Sequence, residues 1–209
     1  MPVLGRIESI WRYPIKSLRA EELNRTAVAG DGLAGDRTSA LYVESGSARV
    51  GKPYRGKENS RLHTTDRVDR ARTFAPGIVL DYRAEADERY FDAAPVSLLF
   101  DRWLDELSVL VGYALEPLRF RPNIFARAQN ADLPNETALI GSALQVGEVR
   151  LQVRSGIQRC VTPTYDIQTG EPDPRVLRAV AQHRGNLMGV YCDVLQSGEI
   201  RTADAVVRL

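Results

Sequence analysis

Short runs in which apolar and polar residues alternate, separated by glycine, proline, asparagine and aspartate, recur along this chain. Gly5-Arg6-Ile7-Glu8-Ser9-Ile10-Trp11-Arg12-Tyr13 is the first, and Ala27-Val28-Ala29 and Ser39-Ala40-Leu41-Tyr42-Val43 follow. Each predicts a strand. Val79-Leu80-Asp81-Tyr82 predicts another short one. Ala143-Leu144-Gln145-Val146 and Val149-Arg150-Leu151-Gln152-Val153 flank Gly147-Glu148, which predicts a hairpin with alternating faces. The chain closes on Gly189 to Leu195, a turn at Ser197-Gly198-Glu199 and a last strand from Ala205 to Leu209.

Helical periodicity is rarer. Pro95 is expected to open a helix with apolar residues at Leu99, Trp103, Leu104, Leu107, Leu110 and Val111, at three- and four-residue steps. Asp173-Pro174 is expected to cap a second, whose stripe runs Val176, Leu177, Val180 and Ala181 and stops at Gly185. Residues 44–73 carry four glycine and proline breaks, nine basic residues counting His63, and no sustained period, so they read as an exposed loop region. Many short strands and few helices favour a barrel-like β core over a parallel α/β sheet.

Gly30-Asp31-Gly32-Leu33-Ala34-Gly35 spells a dinucleotide-binding glycine motif. That motif needs a helix directly behind the glycines, and a strand-like run follows here instead, so Asp31-Gly32 reads as a turn between antiparallel strands. At 209 residues the chain suits one domain or two interlocked lobes, and it can bury a core without disulfides. The 28 basic residues nearly balance 27 acidic ones, so no global field attracts nucleic acid or an anionic membrane. With no signal peptide or spanning run in view, a cytoplasmic location is expected.

Serine elbows, phosphate-cradling lysine loops and histidine pairs at metal spacing do not occur in the sequence. His63 and His183 stand alone and read as structural or surface residues. Cys160 and Cys192 are the two cysteines. Cys192 sits in an alternating run and reads as core filler. Cys160 lies in the turn-rich Ser155-Gly156-Ile157-Gln158-Arg159-Cys160-Val161-Thr162-Pro163-Thr164, where an adjacent guanidinium favours a thiolate, at once a nucleophile and a soft metal ligand. On spacing alone, that reading and a small buried hydrophobe stand equal.

Four segments resemble the MOSC domains, named for the C-terminal region of molybdenum cofactor sulfurases and shared by amidoxime-reducing molybdenum enzymes. Tyr13-Pro14-Ile15-Lys16-Ser17 with Gly32-Leu33-Ala34-Gly35-Asp36-Arg37 looks like the family's N-terminal signature, and Arg119-Phe120-Arg121-Pro122-Asn123-Ile124 like its middle motif. Arg159-Cys160 with Thr162, Thr164, Asp166, Thr169 and Gly170 resembles its cysteine motif, and Gly189 to Leu209 its closing strands. Leu18 stands where the family commonly has cysteine, Ala203-Asp204 where it usually has Gly-Asp, and Gln129 to Thr137 lacks the acidic-tryptophan stretch associated with the reductases.

The resemblance implies an α+β, β-barrel-rich fold, with an N-terminal lobe over residues 1–95, a core over 96–209 and a few peripheral helices. It implies a molybdenum cofactor, with Cys160 as metal ligand and catalytic residue. Lys16, Ser17 and Arg37 would lie along the pterin and its phosphate, Arg121 and Asn123 on other polar edges, and Arg159 beside the cysteine. Asp92 would hold a pterin nitrogen or face substrate, with helix capping as its other reading. Oxidoreductase activity on a small N-hydroxylated substrate, and at family level pyridoxal phosphate binding, come with the resemblance. Electrons would arrive from a ferredoxin-like or cytochrome-like partner, since the chain has neither an iron–sulfur cysteine set nor a flavin motif. Two alternatives keep the fold: a sulfur carrier using a Cys160 persulfide, and a cofactor carrier without turnover.

Overall fold

A computed structural model describes residues 1–84 and 89–209. Its elements run β1 (Val3–Arg12), β2 (Glu21–Leu23), β3 (Arg25–Ala29), β4 (Gly32–Leu33), β5 (Ser39–Ser45), α1 (Val68–Thr73), β6 (Val79–Ala84), β7 (Val96–Phe100), α2 (Asp101–Val111) and β8 (Ile124–Ala128). α3 (Glu136–Leu139), β9 (Ala143–Val146), β10 (Val149–Gln158), α4 (Pro174–His183), β11 (Leu187–Gln196), β12 (Gly198–Arg201) and β13 (Ala205–Arg208) complete the chain.

Seven strands close a barrel in the order β13-β9-β10-β11-β7-β8-β1, with β1 pairing back onto β13. An odd number of strands cannot close with antiparallel neighbours alone. The necessary exception is β7–β8, which is parallel, with α2 in the crossover that a parallel pair requires. β1 lies between β8 and β13, so the barrel draws strands from both ends of the sequence. The predicted β-barrel-rich fold with few helices is the one observed.

The hairpin of β9 and β10 and the helix α4 match their patterns, and Asp173 caps α4 by accepting a hydrogen bond from the Arg175 amide. The helix expected from Pro95 is a correction: residues 96–100 form β7, and helix begins only at Asp101. All five residues of β7 are buried, because the barrel interior covers one face and α2 with its neighbours the other. A strand covered on both faces loses its alternation and merges with the helix pattern behind it. Residues 44–73 need a second correction. They hold a 3₁₀ turn at Ser60–Thr64 and α1, and send Tyr54, Leu62 and Ala71 into a smaller apolar cluster with Leu41, Val43 and Leu80 beneath the β5–β6 ribbon. Three apolar residues so widely spaced show no period.

At the glycine motif, Ala29 pairs with Gly32 across Gly30-Asp31, so a two-residue turn forms one residue earlier than expected. Gly32 has φ +104°, and a Cβ there would come 2.6 Å from the Pro95 carbonyl oxygen, which leaves glycine as the residue that fits. No helix among the described residues is long and apolar enough to cross a membrane.

Candidate functional site

A cavity of about 260 Å³ opens where the chain leaves β1, β4 and β10 and enters β7 and β8. Small-molecule clefts span roughly 300–1,000 Å³, so this one sits near the small end. Its wall includes Lys16, Ser17, Arg37, Asp92, Arg121, Arg159 and Cys160, seven of the eight residues singled out in the sequence.

The first side of the wall is set by the end of β1. Pro14 removes a ladder donor, the Tyr13 amide turns to Asp36 Oδ1 at 2.6 Å, and the Arg37 amide donates to the Tyr13 carbonyl at 2.8 Å. Ser17 and Arg37 are thereby held at φ +70° and +48°, and Arg121, closing the 3₁₀ turn Pro117–Phe120, at +51°. Of the five described non-glycine residues in this left-handed region, these three line the cavity. Strain of this kind persists where surrounding structure over-determines it, and it concentrates at functional sites.

The cations divide into two kinds. Arg37 pairs with buried Asp36 at 2.6 Å, and Lys16 Nζ donates to Asp92 Oδ1 at 2.7 Å and to the Tyr90 carbonyl at 2.8 Å. Arg121 and Arg159 have no carboxylate partner among the described residues. Arg121 lies over the Tyr13 ring, 4.1 Å from its centroid, with Arg37 at 4.8 Å. Arg159 donates to the carbonyls of Met188 and, at 2.9 Å, Phe120. Burial pulls both guanidinium pKa values down to about 10, which leaves them charged at neutral pH. Burial likewise pushes the Tyr13 phenol up to about 12, against the opposing pull of Arg121 and Arg37. The wall therefore carries positive charge that the described residues do not cancel.

Cys160 follows β10 directly. A register shift between Gly156 and Gln158 re-aims the strand end, as bulges beside functional sites do. The Arg159 amide then donates to the Asn186 carbonyl at 3.0 Å, and Asn186 Nδ2 donates back to the Arg159 carbonyl at 3.1 Å. Cys160 is exposed to the cavity, its sulfur 3.3 Å from Thr162 Oγ1. Arg159 flanks it in sequence while directing its own hydrogen bonds at backbone carbonyls. Cys192 is fully buried in β11, as expected of core filler, and burial pushes its thiol up to about 12.

Asp92 belongs to no helix; it lies ahead of β7, so the capping alternative falls. Its side chain is exposed at the mouth. The neighbouring atoms that limit its hydration disfavour the charge, but Lys16, then Arg37 and Arg121, outweigh them and hold its pKa below the usual carboxylate range. Asn123 does not reach the wall. It is buried behind it, accepting from Ser97 N and Oγ at 3.1 and 2.9 Å and from Arg37 at 3.5 Å, and donating to the Trp11 carbonyl at 3.2 Å. It braces β1, β7 and Arg37.

Sequence reasoning missed Arg55, Lys57, His63 and Tyr191, all on the wall. The local excess of basic residues in 44–73 was the available signal for the first three. Tyr191 faces inward from β11, where alternation alone does not distinguish a cavity from solvent. Among the described residues no three His, Cys, Asp or Glu side chains gather closely enough to hold a metal ion.

A model of the MOSC N-terminal beta barrel domain matches residues 4–55, and a model of the MOSC domain matches residues 69–207. The YuaD protein from Bacillus subtilis is similar in structure, at a TM-score of 0.60 and 17% identity over 97% of this chain and 93% of that one. YiiM from Escherichia coli superposes at a TM-score of 0.51 and 10% identity, over 100% of this chain and 70% of that one. At such identities these likenesses bear on the fold alone. No curated protein matches the chain in sequence. Barrel, motif order and two adjoining family matches agree: the chain belongs to the MOSC family.

Proposed function

We propose that the chain holds a molybdenum cofactor in this cavity, with Cys160 as the protein's ligand to the metal, and acts as an oxidoreductase on small N-hydroxylated substrates of the amidoxime type. One observation carries the reading: an exposed thiol faces the same cavity as two guanidinium groups that lack carboxylate partners among the described residues. The donor set fits such a group. Cys160 has no companion ligands to form a three-residue metal cluster among the described residues, so a metal bound there must arrive with most of its ligands, as a dithiolene-bound one does. Arg37, Arg121 and Lys16 suit a phosphate and polar pterin edges, where planar guanidinium donors match oxygen pairs.

When bound, the cofactor would supply two-electron redox chemistry at the metal. The chain's own residues orient and screen it. Cys160 is held in place by the reciprocal hydrogen bonds between Arg159 and Asn186. Asn123 keeps Arg37 in register through Oδ1, and the Ser17 hydroxyl adds a neutral donor. Asp92, ionised beside Lys16 at the mouth, would face an incoming substrate. With two cysteines in the chain, electrons would come from a separate ferredoxin-like or cytochrome-like protein.

The test is metal and cofactor analysis of wild type beside Cys160→Ser, both expressed in a host that makes the cofactor. The reading predicts near one molybdenum per wild-type chain, a released pterin, and amidoxime reduction with a supplied donor. A wild type free of molybdenum from that host, or a Cys160→Ser chain that turns over equally well, contradicts it.

A further inference from the structure

Arg121 has a neighbour that the cofactor reading leaves unexplained. His63 Nδ1 lies 3.1 Å from its terminal guanidinium nitrogen. An arginine side chain only donates, so Nδ1 accepts and the ring proton belongs on Nε2. The ring is wedged in place: a Cβ on Gly56 would fall 2.1 Å from it, and Tyr165 stacks on it with centroids 6.1 Å apart. Among the described residues, the buried Nε2 has no hydrogen-bond partner. Burial, then the charge of Arg121, push the His63 pKa down to about 3, with the Ser17 backbone opposing, so the ring is neutral at physiological pH.

The contrast with Arg37 is informative. Arg37 is oriented by the carboxylate of Asp36, which also cancels its charge. Arg121 is oriented by the face of Tyr13 and a neutral ring nitrogen, and its charge stays available to the cavity. A carboxylate at position 63 would grip the guanidinium harder, since charge-assisted hydrogen bonds are stronger, and would remove the attraction for an anion.

We propose that His63 is the positioning residue of an anion subsite, fixing the Arg121 guanidinium through an uncharged acceptor so that its remaining donors grip a phosphate group of the ligand. The proposal rests on reading the cavity as an anion site and is independent of which metal reaches Cys160.

Inorganic phosphate is the probe, titrated calorimetrically into chain expressed in a host unable to make molybdopterin. His63→Gln keeps an uncharged acceptor and should bind within about twofold of wild type. His63→Phe keeps the packing and loses the acceptor, and should bind about tenfold more weakly, as expected for one hydrogen bond to a charged group. His63→Glu keeps an acceptor and adds a negative charge, and should bind weakest. A purely structural role would not separate Gln from Glu in this order. Equal affinities for those two variants, or a wild type indifferent to phosphate, would overturn the proposal. Should the variants fail to fold, ¹⁵N spectra of the wild-type ring decide: an Nε2–H tautomer supports the assignment, and an Nδ1–H or protonated ring at neutral pH defeats it. Phosphate ordering without molybdenum leaves this inference standing and removes the cofactor reading; molybdenum on Cys160 without the ordering does the reverse.

Discussion

In the barrel interior Leu98, Leu144, Leu151 and Val190 are completely buried on hydrogen-bonded strands. At the cavity the segments that follow β1 and β4 and precede β8 hold Ser17, Arg37 and Arg121 in left-handed conformations, with guanidinium groups pressed together around one tyrosine. The interior places each group where it is most stable. The cavity wall does the opposite, keeping strained backbone and like charges close to one another. The difference teaches where stability and function reside: side chains that relaxation would rearrange persist here because the barrel around them is rigid.

Substitutions on the two sides should therefore differ in size. Leu98→Ala in β7 is expected to cost about 2–5 kcal/mol in denaturant unfolding, the range for truncating a buried leucine. Arg121→Leu should stay within about 1 kcal/mol of wild type, because relief of a buried charge offsets the lost Tyr13 contact and the unsatisfied His63 Nδ1, while phosphate affinity falls at least about tenfold. A loss in Arg121→Leu as large as that in Leu98→Ala would break the comparison. Ser17→Gly should stabilise by roughly 0.5–1 kcal/mol through relief of the positive φ, read as a rise in thermal midpoint.

The smallest effect concerns pH. Glu58 is partly buried, which disfavours its charge, yet hydrogen bonds from Arg55 and Arg49 pull its pKa from 4.5 down to about 2. A carboxylate depressed in this way contributes stability that is fully present above about 4.5 and lost as pH falls toward about 2. Glu58→Gln should flatten unfolding free energy across that window, and by freeing Arg55 on the cavity wall it should slightly tighten phosphate binding.

Legibility in the sequence followed the same division. Period-two alternation reported β9, β10 and much of β1, where one face lies in a core and the other is exposed or half-buried. It failed at β7, where both faces are covered and Leu99 falls by coincidence at a helical step from Trp103. At the cavity, Lys16, Ser17, Arg37, Arg121, Arg159 and Cys160 were legible through motif resemblance, since turns that aim a side chain have a fixed local spelling. Asn123 was found in the same motif, but its position behind the wall depends on Ser97, 26 residues away. His63 was illegible because its partners, Arg121 and Tyr165, are distant in sequence and meet only when the 3₁₀ turn docks on the barrel.

X-ray absorption at the molybdenum edge tests the central claim most directly, comparing wild-type chain with Cys160→Ser, each loaded in a cofactor-competent host. The account predicts one more sulfur in the metal's coordination shell for wild type than for the variant. Identical sulfur shells in the two proteins would contradict it.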